Sequence, residues 1–493
     1  MNEKYFEYSL LLVCGLSALI PLVWLYLNIK LKHLQKLSRI RVMRRQQKNV
    51  NALFLSSEIL NNCCKKLFFS SDKKAGIALS ALIGGRTQKA VDYFKDTQPQ
   101  LALLLEAHQN TPIAYNKILK QKTLWLKNPQ YCVYLPVLAH LLFDKKTMHS
   151  AIAKINPLKL SKCNAAYYNY CVAFAYLYDG DMLSASQKAS AALDYFRKKK
   201  YSYEGAKCYL ALGEIYRLSC VNDVAQTMIE AAIKINQEQK MPQYLSQSMA
   251  ALGMLMLFEN RHEEAEENFN KALLSAQTDD LCADIGNQKA LLYIAQNKLK
   301  TAKSEISKAL PVFIASKNKH GQAFSQQLLA QIYFNKKQYT QAFQFANIAK
   351  EIYEKNNNFS AVLECMYLCA DALFKQNKLK KSEEILRKML TISEKQKHNF
   401  HIANTYSLLG LIYLRKKDLQ RAKVLLQQSL HLEQRHKRCE GLVSDYANLA
   451  TIDILSGNHD SAKDNLQTAL EYAKQTGNEE LTELIKKKFN DFT

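Results

Sequence analysis

"SLLGLIYLRKKDLQRAKVLLQQSLHLEQ", residues 407–434, reads as a helix, a short basic break and a second helix. Gly410 stands twelve places before Ala422, with Tyr413 between them. The same arrangement returns along most of the chain. The small residues of successive first helices are Ala173, Gly213, Gly253, Ala290, Ala330, Ala370, Gly410 and Ala450, separated by 40 residues at every step except one of 37. Twelve places after each comes Ala185, Ala225, Ala265, Ala302, Ala342, Ser382, Ala422 or Ala462. Seven further on comes Ala192, Ala232, Ala272, Ala309, Ala349, Met389, Ser429 or Ala469. Tyr176, Tyr216, Tyr293, Tyr333 and Tyr413 each follow a first small residue by three. Small residues at a fixed step mark points where two helix backbones approach closely, and the tyrosine fills the space beside them. A period of this length in helical residues predicts an all-α solenoid.

Composition agrees. The 493 residues contain only 14 Gly and 8 Pro, which disfavours a β-rich or disordered chain. Twelve cysteines are scattered through apolar helical stretches without a CxxC pair, and read as small hydrophobes in a reducing compartment. Cys63-Cys64 and the pair Cys365 and Cys369 lack the further ligands that a metal would need, so packing is expected for them.

These positions resemble the tetratricopeptide repeat, whose pattern runs aromatic, Leu-Gly, Tyr, Ala, Phe, Ala over two helices. "YLALGEIYRL" (209–218) and "EEAEENFNKAL" (263–273) carry the resemblance best. It covers residues 166–476 as eight repeats and implies a right-handed superhelix of helical hairpins. The sequence departs from the pattern in several places. The step is longer than the family's usual 34, Asp453 replaces a tyrosine, and Met389 and Ser429 replace alanines. Residues 478–492 read as a capping helix. Residues 72–160 read as degenerate hairpins, with Ala139 and Ala151, and Ala78 and Ala90, again twelve apart.

The net charge is +24, and residues 1–160 hold 24 lysines and arginines against 8 acids. Residues 8–29 are uncharged and, at 1.5 Å per residue, span about 33 Å, enough for a bilayer core of about 30 Å. Eight bases and no acid follow in 30–48. The expectation is one N-terminal transmembrane helix, N-terminus outside, with a basic segment on anionic lipid and a cytoplasmic array. Bacterial inner-membrane proteins with one anchor and a repeat array look similar.

In this repeat family the first helix of each pair lines the concave side. Carried over by register, that face offers Tyr167, Tyr170, Phe174 and Tyr178, then Arg217, then Gln247 and Phe258. Gln327 and Gln331, Tyr367 and Asn404 continue it. Aromatics and amides together suit a peptide, with amides bonding its backbone and aromatics holding side chains. For the tyrosine cluster the alternative is burial beneath the neighbouring repeat. The family's chaperone-tail clamp, a Lys and Asn set, is not reproduced.

No GxSxG, HExxH or phosphate-loop motif occurs, and Gly84-Gly85 reads as a turn. His398, His401, His431 and His436 lie near repeat ends with no carboxylate at ligand spacing, so surface positions are expected. The expectation is a membrane-anchored, non-enzymatic scaffold for protein partners, without cofactor or metal. Its alternative is a regulator sensing a peptide or nucleic acid. Nucleic acid ranks behind protein because 161–493 hold neither a basic groove nor a DNA-binding domain.

Overall fold

Two seventeen-residue helices and two three-residue turns make the 40-residue step. The structure is a computed structural model that describes residues 88–492, apart from positions 110, 130, 142–144, 179–180, 220, 356–357, 396–398 and 437. The described residues form 23 α-helices and no strand. The chain divides into two units, Met1–Gln109 and Asn110–Thr493. The described part of the first holds α1 (Gln88–Thr97) and α2 (Pro99–Gln109). The second begins with α3 (Thr111–Lys120), α4 (Lys122–Lys127), α5 (Tyr134–Leu141) and α6 (Lys145–Ile152).

Eight helix pairs follow: α7 (Lys162–Tyr178) with α8 (Met182–Lys198), α9 (Ser202–Leu218) with α10 (Asn222–Glu238), and α11 (Pro242–Phe258) with α12 (His262–Ser275). Next come α13 (Asp279–Ala295) with α14 (Leu299–Ala315), α15 (Lys319–Asn335) with α16 (Tyr339–Lys355), and α17 (Phe359–Lys375) with α18 (Leu379–Lys395). The last pairs are α19 (Asn399–Arg415) with α20 (Leu419–His436) and α21 (Cys439–Leu455) with α22 (His459–Gln475). Helix α23 (Glu479–Phe492) ends the chain and buries Ile485 against Val443, Ala469 and Ala473. The extra length of the repeat therefore lies in its helices. The single 37-residue step also has a local cause, since α12 has 14 residues and lacks almost one turn.

Ten of the described turns place one residue in the left-handed region. Lys200, Lys240, Asn260, Asn297, Lys317, Lys337, Asn377 and Lys417 have φ between 54° and 63°, and only Gly457 and Gly477 use glycine for this position. The following N–H closes back onto the helix, as from Lys298 to the Tyr293 carbonyl at 2.7 Å and from Gln338 to Tyr333 at 2.9 Å. This is the usual way to satisfy the last carbonyls of a helix before a sharp reversal.

The small residues pack as their spacing predicts. Ala173, Ala185, Ala265, Ala330 and Ala422 have no exposed surface. A Cβ on Gly253 would come within 2.8 Å of the Phe269 ring and 3.2 Å of the Ala265 carbonyl oxygen. Ser382 and Ser429 substitute for alanine because their hydroxyls donate to the Ala370 and Ala403 carbonyls at 2.7 and 3.0 Å. Asp453 stands in for a tyrosine in a similar way. Tyr293 donates to Glu266 of the preceding repeat at 2.7 Å, and Asp453 reaches the corresponding Lys423 at 2.9 Å. Replacing Ala265 or Ala422 with leucine is expected to overpack these contacts and cost about 1–3 kcal/mol, read from the urea midpoint.

The expected membrane location needs correction. No helix among the described residues is long and apolar enough to cross a membrane. Residues 8–29 and 30–48, on which that expectation rested, lie outside the described residues, as do Cys63-Cys64 and Gly84-Gly85. Cys365 and Cys369 are buried in apolar packing. His401 is also buried, edge-on to Phe400 at 4.9 Å, contrary to the surface position expected from its sequence neighbours. His431 is exposed.

Candidate functional site

The first helices carry a continuous row of partly exposed aromatic, amide and charged side chains. At its start, α7 presents Tyr170, Phe174 and Tyr178 at four-residue spacing, which places them on one helix face. All three are half-buried. Phe174 lies 5.1 Å from Tyr170 and 6.3 Å from Tyr178 between ring centroids. His140 of α5 covers one side of this row. Its ring lies 3.8 Å from Phe174, and its Nδ1 is hydrogen-bonded with the Tyr178 hydroxyl at 3.1 Å. Burial, helped by Lys207 and Lys145, pushes the His140 imidazole down to about 3, so the ring is neutral at physiological pH. The cluster is thus partly packed and partly open, between the two arrangements expected for it.

Two ammonium groups flank these rings. Lys145 Nζ lies 4.1 Å over the Tyr178 ring, and Lys207 Nζ lies 4.6 Å over Tyr203. Lys207 keeps some contact with solvent but sits deep among protein groups. Burial pushes it down to about 8, against the pull of Glu204.

Tyr167, on the same face, is closed off from solvent. It is buried, donates to Glu204 Oε1 at 2.6 Å and packs 5.0 Å from Phe196. One turn before Tyr170 and two before Phe174, it shares their side of α7 but is covered by Phe196 of α8 and Glu204 of α9.

Further along, Arg217 makes two hydrogen bonds to Glu214, at 2.9 and 2.6 Å, and lies 5.6 Å from the Phe258 ring. Phe258 is 50 % exposed, a large apolar group left open at the end of α11. Gln247, Gln331, Tyr367 and Asn404 are half-buried. Gln327 is buried, donating to Glu364 Oε2 at 2.9 Å and accepting from the Tyr353 hydroxyl at 3.2 Å. It holds Glu364 in place and has little left to offer a ligand. Glu364 itself keeps contact with solvent but sits deep among protein groups, whose desolvation raises its carboxyl against the pull of Gln327 and Lys145.

Within residues 110–493 the row curves back toward its own beginning. The charge of Lys145, at the start of α6, acts on both His320 of α15 and Glu364 of α17. The Asn260 side chain donates to the Thr476 carbonyl at 3.2 Å across 216 residues. The first helices therefore line a concave face, where an extended ligand would touch several repeats together.

His140, Lys145, Asp284 and Glu364 are additions to the face expected from sequence. Glu364 and Asp284 were reachable by stepping along the repeat, since Lys207, Gln247, Asp284, Glu364 and Asn404 share one register position. His140 follows Ala139 as Phe174 follows Ala173, so extending the register one pair upstream would have found it. Lys145 carries no such signal.

The described helices form an all-helical repeat solenoid whose first helices carry side chains of mixed aromatic and polar character. Residues 403–436, the pair α19–α20, match the family model described as tetratricopeptide repeat. No curated protein matches the chain. Among solved structures, the apo form of RapI is similar at 16 % identity over 63 % of this chain and 98 % of that one, with a TM-score of 0.36. NprR in complex with its cognate peptide NprX is similar at 16 % identity over 58 % and 87 %, with a TM-score of 0.43. A Rap protein complexed with competence and sporulation factor gives 12 % identity over 89 % and 98 %, with a TM-score of 0.40.

Proposed function

We propose that this protein is a non-catalytic binding module whose concave face takes peptide segments of partner proteins. The observation that carries this reading is the row itself. Half-buried aromatics (Tyr170, Phe174, Tyr178, Tyr367), the open Phe258 and the amides Gln247, Gln331 and Asn404 all lie on first helices. Aromatic rings supply anchor area, and amides can bond a peptide backbone at either its donor or its acceptor. Glu214, Asp284, Glu364 and Asp371 offset Lys145, Lys207 and Arg217 here, so the first helices lack the basic excess that phosphate binding needs.

A regulator that senses a peptide is the second reading. It is favoured by the long-range hydrogen bond of Asn260 with Thr476 and by the reach of the Lys145 charge to His320 of α15 and Glu364 of α17. A ligand in the channel would be felt by both, and a change at one end would be transmitted to the other.

Panning a random peptide library against the full chain tests the proposal. Enriched peptides are expected to bind with micromolar Kd, about −8 kcal/mol, and to lose affinity with Arg217→Ala and Gln331→Ala. Enriched peptides indifferent to both substitutions would overturn it.

A further inference from the structure

In seven of the eight pairs, the second helix places a residue of its last turn in the core: Phe196, Asn236, Phe313, Tyr353, Ser393, Glu433 and Ala473. Only one of these is charged. A second buried position, on the first helices, holds Cys208, Ser248, Ile285, Ser325, Cys365, Thr405 and, in the last repeat, Asp445. Two carboxyl groups thus enter one joint, between α20 and α21, at positions that are apolar or neutral in every other repeat.

Among the described residues, Arg438 is the cation paired with them. Arg438 Nη1 reaches Glu433 Oε1 at 3.0 Å, and its guanidinium lies 4.0 Å from the Phe400 ring. Asp445 Oδ1 accepts from the Ser407 hydroxyl at 2.8 Å. Ser429 is close to Asp445, but its hydroxyl donates to the Ala403 carbonyl. Glu433 Oε2 and Asp445 Oδ2 are both buried without a hydrogen-bond partner among the described residues. Gly441 makes the room, since a Cβ there would run into the Glu433 carboxyl. Asp453 in the same repeat is the contrast. Both of its oxygens have partners, in Lys423, Ser461 and Asn465.

We propose that Glu433 and Asp445 together hold one proton, and that this proton keeps the last repeat seated on the array. With the proton bound, the cluster is neutral overall and one oxygen becomes a donor to the other carboxyl. With it lost, a buried net negative charge faces the phenol of Tyr367, which also feels Asp371, and the α20–α21 joint loosens. Because Tyr367 lies on the concave face, the joint couples proton loss to the shape of the channel's far end.

The direction of titration supports this geometry. Burial pushes Glu433 up to about 7, with Arg438 opposing and Asp445 adding to the rise. Burial pushes Asp445 up to about 6 against Ser429, Ser407 and Arg438. A carboxyl whose folded value lies above its unfolded one stabilises the folded form at low pH. That contribution is lost as pH rises from about 4 through 7.

Hydrogen exchange of the full chain between pH 5.5 and 8, corrected for the intrinsic pH dependence of exchange, tests the proposal. The opening constant of α21 and α22 is expected to rise about tenfold relative to α15 and α16, because over the first part of that range opening releases one proton that the folded joint holds. Glu433→Gln should abolish the rise. Glu433→Phe should abolish it too, since the ring would rest against Gly441 as Phe313 rests against Gly321; this variant serves if the first fails to fold. An equal rise in either folded variant, or no rise in the unchanged chain, would overturn the proposal.

Discussion

A chain carrying both Phe174→Ala and Tyr178→Ala is expected to bind its selected peptide about a thousandfold more weakly. Each aromatic anchor at a binding face contributes about 2 kcal/mol, and about 1.4 kcal/mol corresponds to one factor of ten. The fold should survive. Phe174 and Tyr178 are half-buried, resting on His140 on one side while the other side faces the channel. Truncation therefore forfeits only part of the 3–5 kcal/mol typical of a fully buried ring, about 1–2 kcal/mol at each position. Peptide titration and thermal melting of the same preparation separate the two effects. Retained affinity with a steep loss of melting temperature would mean that the cluster is core.

The largest effect on stability is expected from Phe269→Ala, at about 3–5 kcal/mol. Phe269 has no exposed surface and packs in a cluster with Ile229, Leu255, Ala265 and Leu292. It also fills the space that glycine leaves at position 253. Because α12 lacks the last turn of its counterparts, this repeat has less neighbouring surface with which to close the resulting cavity. Chemical denaturation monitored by circular dichroism measures the loss. In a repeat array the transition should also broaden, as the third pair uncouples its neighbours. Phe258→Ala, at a half-exposed ring, provides the control and should cost under about 1 kcal/mol.

The repeat was legible because close backbone approach admits few residue types. Glycine or alanine at 253, 265 and 272 leaves a pattern that survives even where Ser382 and Ser429 break it, since each hydroxyl finds a carbonyl. The short α12 was legible as well, as the one step of 37. The division of each face between core and channel was harder to see. Helix α7 is apolar on nearly every side, so nothing in its sequence separates buried Tyr167 from half-open Tyr170. Gln327 looked like a free amide, but its two ends are bound by Tyr353 and Glu364, residues 26 and 37 places away. His401 looked like a surface residue because it follows a basic stretch, although its register position is a buried one. The Glu433 and Asp445 pair needed coordinates, since Gly441 and Arg438 give it meaning only once α20 and α21 are packed.

The most direct test of the concave binding face is photo-crosslinking of a selected peptide that carries benzophenone at successive positions. Mass spectrometry then identifies the attachment sites on the full chain. Attachment is expected on the first helices α7, α9, α11, α15 and α17, moving through the repeats in order as the benzophenone moves along the peptide. Attachment concentrated on the second helices, such as α10, α14 and α18, would contradict it.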